Sequence, residues 1–121
     1  MQSREQLKNI TDMIEVTIII TLVWMHFVAD FIFQSDEVAK NKSKSNATLL
    51  LHVALYSLPF FWFGWLFAVV NAGLHFVTDW CTSRATSYLY QKNERHWFFV
   101  VIGADQAIHF TCLFLTYMWL V

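Results

Sequence analysis

Apolar residues dominate three long stretches of the chain, and polar stretches separate them. Residues 14–33 form the first apolar run, residues 47–80 the second and residues 96–121 the third. The first run has the length, about 20 residues, that a helix needs to cross the hydrocarbon core of a bilayer. This pattern is typical of helices that span a membrane.

The second apolar run is too long for one membrane helix of ordinary tilt. Pro59 and Gly64 bracket four aromatic residues within it, and Pro and Gly commonly mark a reversal of the chain. The sequence therefore predicts an all-α fold, an integral membrane bundle of about four transmembrane helices. We place these at about residues 14–34, 48–58, 65–90 and 96–120, within a single transmembrane domain that covers residues 1–121.

The composition supports a membrane protein. Hydrophobic residues make up 57% of the chain and charged residues only 14%, whereas a soluble domain has about 25% charged residues. The net charge of −1 gives no argument for nucleic acid as a partner. The polar segment 1–12 lacks the features of a signal peptide, so we expect the first run to be a permanent helix in the lipid bilayer.

Basic residues indicate the orientation in the membrane. Two polar loops, at residues 34–46 and 91–95, lie on the same side of a four-helix arrangement and hold Lys40, Lys42, Lys44, Lys92 and Arg95. The other side holds only Arg4 and Lys8. By the positive-inside rule, both loops lie in the cytoplasm and both termini lie on the outer side of the membrane.

The three acidic residues that lie well inside the apolar runs each have a histidine four positions away. Residues i and i+4 share one face of a helix, so each pair projects toward the same neighbour. Gln34 and Gln106 flank two of the pairs, and a fourth intramembrane histidine lies on the second helix. The predicted site comprises His26, Asp30, Gln34, His52, His75, Asp79, Asp105, Gln106 and His109.

The energetic cost of these residues argues for a function. A carboxylate near the centre of a bilayer costs about 2.5–3.5 kcal/mol on insertion scales. Hydrogen bonds between membrane helices return only about 0.6–2 kcal/mol each. The side chains must therefore pair with one another, bind something or face water, and their similar depth in the four helices predicts one common cluster.

Three interpretations of the cluster remain open. It can line a polar cavity that recognises a small hydrogen-bonding solute. It can instead bind a divalent metal such as Zn²⁺ and activate water for hydrolysis of a lipid or another ester. A third interpretation is purely structural, with His–Asp hydrogen bonds that hold the helices in register. The residues predicted as metal ligands are His26, Asp30, His75, Asp79, Asp105 and His109.

Several motifs together resemble a known family. They are the segment HFVADFIFQ at residues 26–34, His52, the HxxxD motif at residues 75–79 and the DQxxH motif at residues 105–109. This combination, within residues 24–110, is similar to a family of small bacterial and phage membrane proteins catalogued as domain of unknown function 3307. The resemblance implies a bacterial inner-membrane location. It also implies uptake of 7-deazaguanine precursors such as 7-cyano-7-deazaguanine, with which some phage members are associated.

The resulting hypothesis is a transporter for a small polar solute, of which a purine-like 7-deazaguanine precursor is our candidate. This hypothesis requires no cofactor, and it predicts a homo-oligomer because four short helices enclose little volume. The alternative is a membrane-embedded, metal-dependent hydrolase that uses the same cluster. Looser resemblance to other small membrane proteins with His/Asp motifs favours that alternative.

Overall fold

The computed structural model describes residues 3–121, and in this range the chain forms helices and no strands. The prediction of an all-α fold is therefore confirmed. Five α-helices follow one another along the chain: α1 (Arg4–Phe27), α2 (Asp36–Asn41), α3 (Asn46–Ser57), α4 (Trp65–Gln91) and α5 (Arg95–Leu120).

Helix α1 begins well before the apolar run at residue 14. Ser3 caps its start by a capping box: the Ser3 hydroxyl accepts from the Gln6 N–H, and the Ser3 N–H donates to the Gln6 side chain. This reciprocal pair satisfies backbone donors that a helix start otherwise leaves free. The polar first turns therefore extend the helix beyond its apolar segment.

The end of α1 widens into a π-helical turn, Val28–Ile32. Its defining bond runs from the Phe33 N–H to the Val28 carbonyl, with 3.0 Å between the two atoms. Such turns insert an extra residue into a helix and are frequent at functional sites. Asp30 lies at the centre of this turn.

The polar loop after α1 contains the short helix α2. Ser35 caps α2 by accepting from the Val38 N–H, and Ser45 caps α3 by accepting from the Thr48 N–H. Two serine caps thus fix the entry into α2 and into α3, and the intervening segment folds back over the end of the bundle.

Helix α3 continues as a 3₁₀-helix, Leu58–Phe63, and the reversal occurs at Gly64. Pro59 lies at the start of the 3₁₀-helix, where a missing N–H is tolerated. Gly64 adopts φ 123° and ψ 152°, a conformation that is essentially restricted to glycine. A single residue therefore connects the 3₁₀-helix to α4.

Burial in this molecule is the reverse of that in a soluble protein. The apolar core is small and consists of Leu22, Ala29, Tyr56, Phe60, Phe67, Ala68 and Leu113. Most large apolar side chains face outward, for example Trp62 at 87% exposure and Trp119 at 84%. The cluster histidines and two of its aspartates are buried. An apolar exterior around a polar interior is what a bilayer requires.

Three helical segments are long and apolar enough to cross a membrane: Arg4–Ile32, Asn46–Phe63 and Arg95–Leu120. Helix α4, with 27 residues, has sufficient length, about 40 Å at 1.5 Å per residue. It is less apolar because it contains Asn71, His75, Asp79 and Ser83, all of which are buried. Its polar residues thus face the other helices.

We predict opposite effects for two Gly→Ala substitutions. Gly64→Ala lowers the free energy of unfolding by about 1–3 kcal/mol, because alanine is strained at this φ and ψ. Gly103→Ala, within α5 where an added Cβ meets no atom within 4 Å, raises it by about 0.5–1 kcal/mol because alanine favours helix. Thermal unfolding in detergent micelles measures both. Equal effects at the two positions would contradict the role of Gly64.

Candidate functional site

Four helices contribute to one buried polar network. Of the nine predicted site residues, all but Gln34 are linked in it by contacts of 2.7–3.5 Å. Helix α1 and its π-helical turn supply His26 and Asp30, α3 supplies His52, α4 supplies His75 and Asp79, and α5 supplies Asp105, Gln106 and His109. The sequence pattern thus located a real convergence of side chains.

At the centre of the network, two carboxylates face two imidazoles. His52 Nε2 lies 3.0 Å from Asp30 Oδ1 and 3.2 Å from Asp79 Oδ2. His75 Nε2 lies 3.5 Å and 3.4 Å from the same two oxygens. The two Nε2 atoms are themselves 3.0 Å apart. Three helical segments therefore bring four donor or acceptor atoms to one point.

The remaining oxygens of these carboxylates contact the other two histidines. His109 Nε2 lies 3.3 Å from Asp79 Oδ1, and His26 Nε2 lies 3.5 Å from Asp30 Oδ2. His109 Nε2 also lies 3.2 Å from Asp105 Oδ1. The carboxylates of Asp30 and Asp79 are thus held on both sides.

Further hydrogen bonds orient the outer residues of the network. The Thr82 hydroxyl donates to Asp105 Oδ1 at 2.6 Å, and the Gln106 amide donates to Asp105 Oδ2 at 3.1 Å. The ring nitrogens of His26 lie 2.9 Å from the Tyr56 hydroxyl and 2.7 Å from Gln106 Oε1. These hydrogen bonds give Asp105, Gln106 and His26 specific partners, as burial requires.

Three aromatic rings stack through the middle of the bundle. The His75 ring lies between the rings of Tyr56 and His109, with centroids 3.8 Å and 4.1 Å away and interplanar angles of 18° and 22°. This stack leaves the His75 ring little freedom to rotate. The stack thus fixes the position of one of the four central atoms.

Lys42 enters the site from the segment that follows α2. Its Nζ atom donates to Asp79 Oδ2 at 2.9 Å, and its side chain is only 17% exposed. From the sequence, Lys42 is predicted only as a topology determinant, on the same footing as Lys40 and Lys44. In the structure it contacts the polar network, because α2 folds this segment over the open end of the bundle.

A cavity of about 200 Å³ adjoins the network on the side of α2. Gln34 lines it, and the Oε1 atom of Gln34 is buried without a hydrogen-bond partner in the part of the chain that the structure describes. A buried acceptor without a partner is unfavourable. The cavity is also lined by Asp30, Phe31, Lys42, Asp79, Thr82, Asp105 and Gln106.

Two groups of side chains lie close enough to hold a metal ion. One contains Asp30, His52, His75 and Asp79, and the other contains Asp30, Asp105 and His109; within each group the ligand atoms lie within 4.8 Å of one another. Neither group includes His26, whose ring nitrogens contact Tyr56 and Gln106. His52, absent from the predicted metal ligands, belongs to the first group, which we call the tetrad. Carboxylates and imidazoles suit Zn²⁺ and other divalent ions.

Arg84 lies outside the network, although it follows Asp79 closely in sequence. Its guanidinium donates to the Trp80 carbonyl and to Asn46 Oδ1, and it lies over the Trp80 ring at 4.2 Å. Lys42 instead supplies the cationic partner of Asp79. The contact with Asn46 ties α4 to the start of α3.

Comparison with known proteins yields one match. A family model described as "Protein of unknown function (DUF3307)" matches residues 18–121. No curated protein and no solved structure matches the chain.

We predict that Lys42 and Asp79 are energetically coupled. Asp79→Asn lowers the free energy of unfolding by about 3–5 kcal/mol, because it removes a buried carboxylate that Lys42 and three histidines contact. In the double variant with Lys42→Met, the loss is smaller than the sum of the single losses by about 0.5–3 kcal/mol. Chemical denaturation of the four proteins in detergent measures the coupling.

The matched control pairs Lys42→Met with Glu5→Gln, which replaces an exposed acid in the first turn of α1. Those two losses are expected to add, because the residues share no partner. Additive losses for Lys42 and Asp79 as well would show that their contact does not stabilise the protein.

Proposed function

The chain belongs to the DUF3307 family of proteins of unknown function, and we propose that this member is a membrane transporter for a small polar solute. The buried His/Asp network and its adjoining cavity form the binding site in this proposal. The observation that carries it is the unpartnered Gln34 Oε1 atom in the cavity wall. A bound solute with an N–H group would supply the missing hydrogen bond.

The size of the cavity favours a small solute. Pockets for drug-sized ligands usually measure about 300–1,000 Å³, whereas this cavity measures about 200 Å³. That volume suits a molecule of the size of a single nucleobase better than a lipid or a peptide.

The chemistry of the cavity wall favours a flat heterocycle with several N–H groups. Asp105 and Gln34 offer acceptor oxygens, the Lys42 ammonium offers the N–H groups that it does not donate to Asp79, and the Phe31 ring offers an apolar face. The pyrimidine edge of a guanine-like ring presents adjacent N–H donors beside a carbonyl acceptor, and it matches this set. We therefore propose a 7-deazaguanine precursor such as 7-cyano-7-deazaguanine as the solute.

The proposed orientation places α2 and the cavity at the cytoplasmic side of a bacterial inner membrane, with both termini outside. The basic residues of the two loops support it through the positive-inside rule. Three candidate membrane spans with α4 as a fourth crossing give an even number of crossings. The proposal includes assembly of two or more copies, since one bundle encloses little volume.

A membrane-embedded, metal-dependent hydrolase is the second candidate. The close approach of two carboxylates and two imidazoles favours it, since a metal bound there would supply an activated water or polarise a carbonyl. In that case the cavity beside the tetrad would receive an ester.

Uptake of 7-cyano-7-deazaguanine tests the transporter. In a bacterial strain that lacks both its synthesis and its importer, the wild-type protein should restore queuosine in tRNA. Gln34→Leu should reduce the initial rate roughly tenfold or more, because it removes one buried hydrogen bond to the solute. The variant should unfold at an unchanged temperature, because Gln34 Oε1 bonds to no other part of the described chain.

Gln91→Leu is the matched control, since Gln91 is exposed at the end of α4. It should transport at the wild-type rate, and Asp105→Asn should not transport although it inserts in the membrane. If the wild-type protein inserts but restores no queuosine, this solute is rejected, and lipid and ester hydrolysis become the next assays.

Reporter fusions test the orientation. Alkaline phosphatase fused after Val121 should be active, because the enzyme folds only outside the cytoplasm, and a fusion after Lys92 should be inactive. The reverse pattern would place the cavity on the outer side.

A further inference from the structure

We propose that Asp30, His52, His75 and Asp79 form a tetrahedral zinc site. The ligand atoms are Asp30 Oδ1, Asp79 Oδ2 and the Nε2 atoms of the two histidines. This inference goes beyond solute transport and does not depend on it. The ion would lie where the network meets the cavity, since both aspartates line the cavity wall.

The spacing of the four atoms is close to that of a zinc tetrahedron. Zn–N and Zn–O bonds of about 2.0–2.2 Å place the ligand atoms of a tetrahedron about 3.3–3.6 Å apart. Five of the six separations here measure 3.0, 3.0, 3.2, 3.4 and 3.5 Å. The four residues as a group offer one ligand atom each within 4.8 Å of one another. The helices therefore hold the ligand atoms near the positions that the ion requires.

Protons alone do not satisfy these contacts. Each Nε2 atom carries at most one proton, yet His52 Nε2 faces two carboxylate oxygens and a second Nε2 atom within 3.2 Å. If both nitrogens are protonated, two N–H groups point into the same space. If only one is protonated, its single proton serves one of these contacts, and the lone pair of the other nitrogen still faces the two carboxylate oxygens. A central cation bonds to all four atoms at once.

The surroundings of the tetrad resemble those of a metal centre. Ligating carboxylates in proteins are commonly hydrogen-bonded through their second oxygen. Here Asp79 Oδ1 contacts His109 and Asp30 Oδ2 contacts His26. Stacking of the Tyr56 ring on His75, with centroids 3.8 Å apart, further restrains one ligand ring. These contacts fix the direction of the ligands before an ion arrives.

The net charge of the two carboxylates and Lys42, −1, favours a bound cation. The two carboxylates of the tetrad carry two negative charges, and Lys42, the lysine that contacts them, supplies one positive charge. The rival explanation is that Lys42, with protonated histidines, balances the carboxylates without any metal. The experiment must separate these two arrangements.

Metal analysis of the purified protein in detergent is the test. After exposure to Zn²⁺ and dialysis, the wild-type protein should retain about one zinc ion per chain. His52→Ala should lose at least tenfold in zinc affinity. His96→Ala, which removes an exposed histidine at the start of α5, should bind zinc as the wild type does. Cobalt in the wild-type protein should give the intense visible absorption of a tetrahedral site.

The cobalt spectrum of the wild-type protein keeps the proposal falsifiable if His52→Ala does not fold. A weak octahedral spectrum, no retained zinc, or equal zinc affinity in His52→Ala would overturn the proposal, and no retained zinc would leave Lys42 as the counter-ion. Gln34→Leu separates this proposal from transport. It should still bind zinc at the wild-type affinity even though it is expected to lose uptake.

Discussion

The fold depends on the compensation of carboxylate charge in an apolar surrounding. Asp30 and Asp79 are buried, and most of the outer surface of the bundle is apolar. A buried charge without partners would cost more than the packing of so small a core can offset. The four histidines and Lys42 therefore stabilise the assembled bundle, because they are the groups that contact these carboxylates.

This requirement determines how each helix contributes. The i,i+4 spacing gives α1, α4 and α5 a histidine and an aspartate each on one face. The contacts that matter most, however, join different helices: His52 on α3 lies between Asp30 and Asp79. Short helix α2 closes the arrangement, since it delivers Lys42 to the end of the bundle that the long helices leave open. A polar segment that is too short to span a membrane thus supplies a charged partner to the buried network.

The helical architecture could be predicted from the apolar runs along the chain. The members of the cluster could be predicted from their i,i+4 spacing and from the free-energy cost of placing carboxylates in an apolar segment. A carboxylate such as Asp79 has a high free-energy cost in an apolar run. His75, four residues earlier, lies on the same face of the helix and indicates that this face points toward the other helices. The contact of Lys42 with Asp79 could not be predicted, because a lysine in a polar loop is equally well explained by exposure to solvent and by the positive-inside rule. The π-helical turn at Asp30 was not predicted either, since no residue pattern in the sequence marks it.

The pairing of individual atoms was likewise beyond the sequence. His26 and His52 both appear as polar residues at a similar depth, yet the first contacts Tyr56 and Gln106 and the second lies between two carboxylates. Helix rotation and side-chain rotamers decide this difference, and residue spacing fixes neither. The sequence thus predicted which residues form the cluster, while only the structure shows which of their atoms are in contact.

The single-residue connection at Gly64 limits how the bundle can move. It joins α4 to the 3₁₀-helix at one end, and the cavity lies at the opposite end of α4, beside Thr82 and Ser83. A link of one residue leaves little slack for α3 and α4 to slide lengthwise past each other. In the terms used for domain motions, such a hairpin favours a hinge at Gly64 over shear. The hydrogen bonds from Lys42 to Asp79 and from Arg84 to Asn46 hold the far part of α4 to the loop after α2 and to the start of α3.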